Sequence, residues 1–244
     1  MARPSGQSLK IFQDKDSLAR GAALLFIESF EEAVREKGFF SVVLSGGATP
    51  LRLYELLASK EYRSAVQWGL AHFFWGDERC VPPDSPESNF NAANQSLLSK
   101  IEIPPENIHR IKGELPPMAA AKSAEDELVS FFHLGAGVPP PFDLVLLGLG
   151  SDGHTLSLFP GTQGLEEKER LVIPNHVPKL DAWRVTLTFS AIEKAKKTVF
   201  LVSGEEKAAA MKEVFEGKDL PAARVRAKEV LWLADSEAAV LVSD

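Results

Sequence analysis

The chain has 244 residues, 45% hydrophobic and 25% charged, enough to bury a sizeable core without disulfide staples. Lys and Arg number 27 against 34 Asp and Glu, and the net charge of −7 argues against a nucleic-acid partner. The single cysteine, Cys80, excludes an intrachain disulfide and a cysteine-rich metal site.

The first helical pattern covers residues 14–37, with Leu18, Ala22, Leu25, Phe26, Phe30, Ala33 and Val34 near helical period and Gly38 as the stop. Residues 39–44 form a short apolar run, as in a strand buried on both faces. A helix follows over 49–59, opened by Thr49 as cap and Pro50 in the first turn. Residues 70–75 read as a strand and 89–100 as a helix that Asn89 could cap. A weaker strand lies at 107–111, then a helix at 119–132 and a Gly/Pro-rich loop at 135–141. The central strand is 142–147. Further strands are expected at 171–177, 184–189 and 198–203, with a helix at 205–215. Segments 230–233 and 239–242 close the chain.

Strands alternating with helices imply one α/β domain over residues 1–244. Its sheet is mostly parallel and Rossmann-like, with helices on both faces. The longest apolar stretch, 142–150, is far short of a bilayer span, and the N-terminus lacks a signal-peptide core. The expectation is a cytoplasmic protein with no membrane partner; monomer and dimer remain open.

Ligands of such sheets bind where strands end. After the first central strand come Ser45, Gly46, Gly47, Ala48 and Thr49, where two glycines expose backbone N–H groups before a helix start. This suits a phosphate, and suits a plain strand-to-helix turn as well. The next strand ends in Asp77-Glu78-Arg79. Asp77 is a candidate acceptor for hydroxyls and Arg79 a partner for an oxyanion, unless both belong to a solvated turn. Asn89 offers an amide to a polar substrate, or only a cap. After the central strand, Gly148 to Gly153 match G-x-G-x-x-G but lack the downstream acidic residue of a dinucleotide site. The sharper feature is Asp152-Gly153-His154, a histidine on a glycine-rich strand-end loop, suited to acid–base work near neutrality. His72, His109, His133 and His176 show no metal-ligand spacing, so a metal site is not expected. Arg184 opens a strand, and Lys207 lies in a first helical turn, where a cation opposes the dipole unless an anion binds nearby.

Four blocks in order, SGGATP at 45–50, WGDERCVP at 75–82, LGLGSDGHTLSLFPG at 147–161 and RVTLTF at 184–189, resemble the 6-phosphogluconolactonases. The resemblance implies the sugar-phosphate isomerase/deaminase fold and hydrolysis of a phosphorylated sugar lactone without metal or organic cofactor. It implies His154 as the proton-handling group with Asp152 behind it. Gly46, Gly47, Ala48, Thr49, Arg79, Arg184 and Lys207 become the phosphate set, and Ser45, Asp77 and Asn89 contact the sugar. The glucosamine-6-phosphate deaminases share the Gly-rich anion loop, an Asp after the second strand and the D-G-H block, but carry a glutamate five residues after the histidine, where this chain has Phe159; the D-E-R segment with Arg79 also resembles the lactonase form. A non-catalytic sugar-phosphate-binding module is the remaining alternative.

Overall fold

The computed structural model describes residues 7–135 and 137–242. The start of the N-terminal stretch read for a leader, residues 1–6, lies outside them, as does residue 136 of the loop at 135–141. In chain order the elements are β1 (Gln7–Phe12), α1 (Lys15–Lys37), β2 (Phe40–Leu44), α2 (Ala48–Leu57), β3 (Ala71–Trp75), β4 (Asp77–Arg79), α3 (Asn89–Ser96), β5 (Ile108–His109) and α4 (Pro117–Phe132). They continue with β6 (Leu144–Leu147), β7 (Val172–Val177), β8 (Ala182–Leu187), α5 (Phe189–Ile192), β9 (Lys197–Val202), α6 (Ala208–Phe215) and β10 (Glu229–Asp235).

Seven strands form a wholly parallel sheet in the order β1-β10-β9-β6-β2-β3-β5. Every residue of β2 and of β6 is buried, as expected of largely apolar strands covered on both faces, Ser41 of β2 being the one polar residue. From β2 the chain steps outward to β3 and β5; from β6 it steps outward the other way to β9 and β10. The order therefore reverses between β2 and β6, and a crevice opens at their carboxyl ends. At the opposite end, buried Asp143 accepts from the Ser41 N–H and hydroxyl at 2.8 and 2.7 Å and pairs with Lys37 at 2.8 Å. These contacts lock β2 to the start of β6.

A second sheet is antiparallel, with β8 between β4 and β7. Gly76 joins the two. Its N–H donates to Leu44 of β2 at 3.0 Å, and its carbonyl accepts from Leu187 of β8 at 2.8 Å. A Cβ there would lie 2.6 Å from the Leu156 side chain, which would have to shift to admit it.

Several sequence expectations shift. β1 carries no long apolar run and was not foreseen; it is a half-exposed edge strand. Of the two closing segments, 230–233 lies within β10 and 239–241 is turn. Residues 171–177 and 184–189 do mark strands, but with no helix between them they pair antiparallel. Helix α2 starts at Ala48 with Gly47, not Thr49, in the cap position, and Ser88, not Asn89, caps α3 through the Asn91 N–H. Helix α1 ends at Gly38 with φ of 84°, as read. No helix among the described residues is long and apolar enough to cross a membrane.

One titratable cluster lies away from the crevice. His72 Nδ1 meets His109 Nε2 at 3.1 Å, His109 Nδ1 meets Glu127 at 2.7 Å, and Phe74 and Phe131 pack on the rings. Burial, reinforced by His109 and Lys37, lowers the His72 pKa to about 4. An unfolded chain binds that proton at pH about 6.5. Between these values the unfolded state holds more protons, so stability falls as pH drops through the window. His72→Phe is expected to flatten this stretch of the stability curve in urea titrations, and an unchanged slope would assign the acid sensitivity elsewhere.

Candidate active site

The crevice between β2 and β6 widens into a cleft of about 470 Å³. Its floor is the β2–α2 loop. There the Ser45 N–H donates to the Tyr54 hydroxyl at 3.0 Å, and that hydroxyl donates back to the Ser45 carbonyl at 2.8 Å. Gly47 has φ of 101°, which turns the chain into α2 without a capping side chain. The first N–H groups of α2 thus lie beside the cleft with no helical acceptor, under the positive end of the helix dipole. A Cβ on Gly46 would stand 2.0 Å from the Asn89 amide oxygen, so the glycine lets α3 approach.

The second wall comes from β4. Alternation along a strand puts Asp77 and Arg79 at the cleft and sends Glu78 inward, where it is 2% exposed. The Glu78 carboxylate accepts from the Arg79, Asn89 and Phe90 N–H groups at 2.7–2.8 Å and from the Ser88 hydroxyl at 2.9 Å. Burial raises its proton affinity, while the Phe90, Asn89 and Arg79 N–H groups and the Ser88 hydroxyl pull the other way. Asp77 accepts from the Ser157 hydroxyl at 2.6 Å, and the Asn89 amide donates to the Asp77 carbonyl at 2.9 Å. The Arg79 guanidinium donates to the Glu87 carbonyl.

His154 stands on the loop after β6. Its Nδ1 meets Asp152 at 2.5 Å, and its ring stacks on Phe159 with centroids 3.8 Å apart. Nε2 has no partner among the described residues, and the side chain lines the cleft. A Cβ on Gly150 would fall 2.0 Å from His154 Nδ1, so this glycine makes room for the ring. Burial lowers the His154 pKa; Asp152 and Asp77 partly offset this, and Lys179 adds to it. For Asp152, burial raises the pKa, but hydrogen bonds from Lys179 and His154 outweigh it and hold the carboxyl at about 2.

The far wall follows β9. Buried Asp235 accepts from the Ser203 hydroxyl at 2.5 Å and from the Gly204 and Ala238 N–H groups at 3.1 and 2.8 Å, fixing the turn that carries Lys207.

Ser45, Gly46, Gly47, Ala48, Thr49, Asp77, Arg79, Asn89, His154 and Lys207 all line this one cleft. Asp152 and Arg184 do not. Asp152 stands behind His154, and Arg184 lies across from Arg79 in the β4–β8 register, two cations side by side. Lys15 and Glu206 also line the cleft. Lys15 follows β1, so its position became visible only with that strand. Among the described residues no group of three His, Cys, Asp or Glu side chains is placed to hold a metal.

The family model for glucosamine-6-phosphate isomerases/6-phosphogluconolactonase matches residues 13–232. The chain belongs to this family. A 6-phosphogluconolactonase of Haemophilus influenzae is 40% identical over 207 residues, covering 82% of this chain and 87% of its own. One from Nostoc is 35% identical over 243 residues, 97% and 99%. The solved 6-phosphogluconolactonase structure from Thermotoga maritima superposes with a TM-score of 0.82 at 33% identity, covering 94% of this chain and 99% of its own. The family match spans every loop of the cleft, from Lys15 to Lys207.

Glu78 is only 2% exposed behind the cleft wall, and all four of its contacts are donors. Glu78→Gln turns one acceptor into a donor facing N–H groups. A loss of about 1–3 kcal/mol is expected in urea unfolding; a loss below about 0.5 kcal/mol would show that α3 holds its position without the carboxylate.

Proposed function

We propose that the chain, acting as one domain over residues 1–244 in the cytoplasm, hydrolyses 6-phospho-D-glucono-1,5-lactone to 6-phospho-D-gluconate. This is the lactone-opening step of the oxidative pentose phosphate pathway. One observation carries the reading: a histidine held at Nδ1 by Asp152 presents its free Nε2 to the cleft that also holds the α2 amides.

In this reading the phosphate sits on the amides of residues 46–49, with Lys207 opposite and Arg79 and Arg184 at the rim. Each charge-assisted hydrogen bond contributes roughly 1.5–3 kcal/mol. Asp77, Asn89 and Ser45 receive the sugar hydroxyls. The lactone carbonyl then faces His154. The neutral imidazole takes a proton from water at Nε2 while the water oxygen bonds to C1. Asp152 keeps the other nitrogen protonated and stabilises the imidazolium that forms. One of the two arginines, in place of a contact to the phosphate, meets the negative charge on the former carbonyl oxygen. Collapse re-forms the carbonyl, breaks the bond from C1 to the ring oxygen, and returns the proton from Nε2 to that oxygen. The carboxylic acid released ionises in water, and no metal enters the scheme.

Phe159 weighs against the amino-sugar reaction. It occupies the place of the deaminase glutamate and covers one face of the imidazole, and an aromatic ring transfers no proton. A module that only binds sugar phosphate leaves the Asp152–His154 pair without a use.

Lactone generated in place by glucose-6-phosphate dehydrogenase, with spontaneous hydrolysis subtracted, provides the test. Acceleration unaffected by EDTA is expected, and none above background would overturn the reading. His154→Ala should lower kcat by roughly 10²–10⁴-fold with the fold intact. Because burial lowers the His154 pKa, the unprotonated ring persists below the ordinary imidazole value of about 6.5, and kcat/KM should stay level through neutrality and fall only in more acidic buffer. Lys207→Ala should mainly raise KM, since a phosphate grip serves ground and transition states alike. A collapse of kcat at constant KM would instead place Lys207 at the reacting end.

A further inference from the structure

The turn between β7 and β8 is distant in sequence from the catalytic loop, yet its Lys179 reaches that loop. Lys179 Nζ pairs with Asp152 Oδ2, the oxygen that His154 does not use. The same ammonium lies 4.7 Å over the centre of the Phe159 ring, whose stacking partner is His154. The four groups close a circuit: Lys179 on Asp152, Asp152 on His154, His154 on Phe159, and Phe159 beneath Lys179. Left-handed Asp181, with φ of 44°, makes the turn that presents the lysine.

A carboxylate with one oxygen on an imidazole can still rotate, because either oxygen can accept from Nδ1 and water competes for both. A cation on the second oxygen removes that freedom. The aromatic face adds a second contact that fixes the cation itself. We propose that Lys179 is a positioning residue: by holding Asp152 and capping Phe159 it keeps the His154 imidazole in the Nδ1–H tautomer with Nε2 free toward the cleft. The antiparallel sheet thereby supplies the outer brace of the acid–base loop. The proposal rests on His154 acting as the base in the reading above, but its structural core is measurable without turnover.

The experiment compares the wild-type chain with Lys179→Met and Lys179→Arg. Nitrogen-15 NMR of the imidazoles, assigned through His154→Ala, reads the tautomer of neutral His154, and steady-state lactone hydrolysis reads kcat and KM. Lys179 is half exposed on a surface turn, so Met should leave thermal unfolding unchanged. The expected result is a predominant Nδ1–H tautomer in the wild type, a mixed population in Lys179→Met, and recovery in Lys179→Arg. Alongside it, kcat should fall about 5–30-fold in Lys179→Met with KM within twofold. An unchanged tautomer in Lys179→Met would overturn the proposal, and a raised KM beside an unchanged tautomer would make Lys179 a substrate ligand instead. If the wild type showed no lactone turnover while the tautomer still shifted, the functional reading would fall and the positioning role would stand.

Discussion

A single buried carboxylate organises the polar side of the cleft. Glu78 takes up the first N–H groups of α3 and the hydroxyl of its cap, and it is the middle residue of a three-residue strand. Anchoring it fixes the side chains on either side, so Asp77 and Arg79 have no choice but to face the cleft. It also sets where α3 begins, and with it the Asn89 amide between Asp77 and Gly46. The desolvation cost of burying the charge is offset by four donors, three of them backbone N–H groups that can do nothing except donate.

The cleft divides its labour between two sheets. The parallel sheet carries the α2 amides, His154 and the Lys207 turn on the carboxyl ends of β2, β6 and β9. The antiparallel sheet brings in Asp77 and Arg79 from β4 and Lys179 from the β7–β8 turn. Gly76 is where the chain passes between them, and it hydrogen-bonds to both. A histidine alone on a glycine-rich loop would sample many orientations. Here Gly150 admits the ring, Asp152 takes one nitrogen and Phe159 backs one face. Together these contacts convert a mobile loop residue into an oriented one.

Much of this was legible in the residues. Apolar runs at β2, β6 and β9, each buried on both faces, announced a parallel sheet, and strand-end loops gave the right places to look. Periodicity failed where burial is one-sided or the element is very short. β1 is a half-exposed edge strand, and β4 has three charged residues that read as a turn. Glu78 went unnoticed because nothing local distinguishes a buried glutamate from its solvated neighbours. The clue lay in strand alternation, available only once β4 is known to pair with β8. Lys179 had no signal at all, since its partners lie 20 and more residues earlier and meet it only through the hairpin. The second sheet was missed for a related reason: two strands in succession were read into a pattern whose other strands alternate with helices.

The β2 and β6 strands are direct neighbours, paired Val42 to Leu144 and Val43 to Val145. The α2 amides and the histidine loop leave from the ends of this pair, and Gly148 lies within reach of Ser45. The two strand ends from which these loops leave are therefore set apart by the strand spacing of about 4.8 Å, fixed by peptide hydrogen bonds and indifferent to side-chain identity. Such a ruler survives turnover of the core residues around it. The apolar interior can change while the strand ends keep their spacing, which leaves the loops and rim residues to set how the anion seat and the base face the sugar.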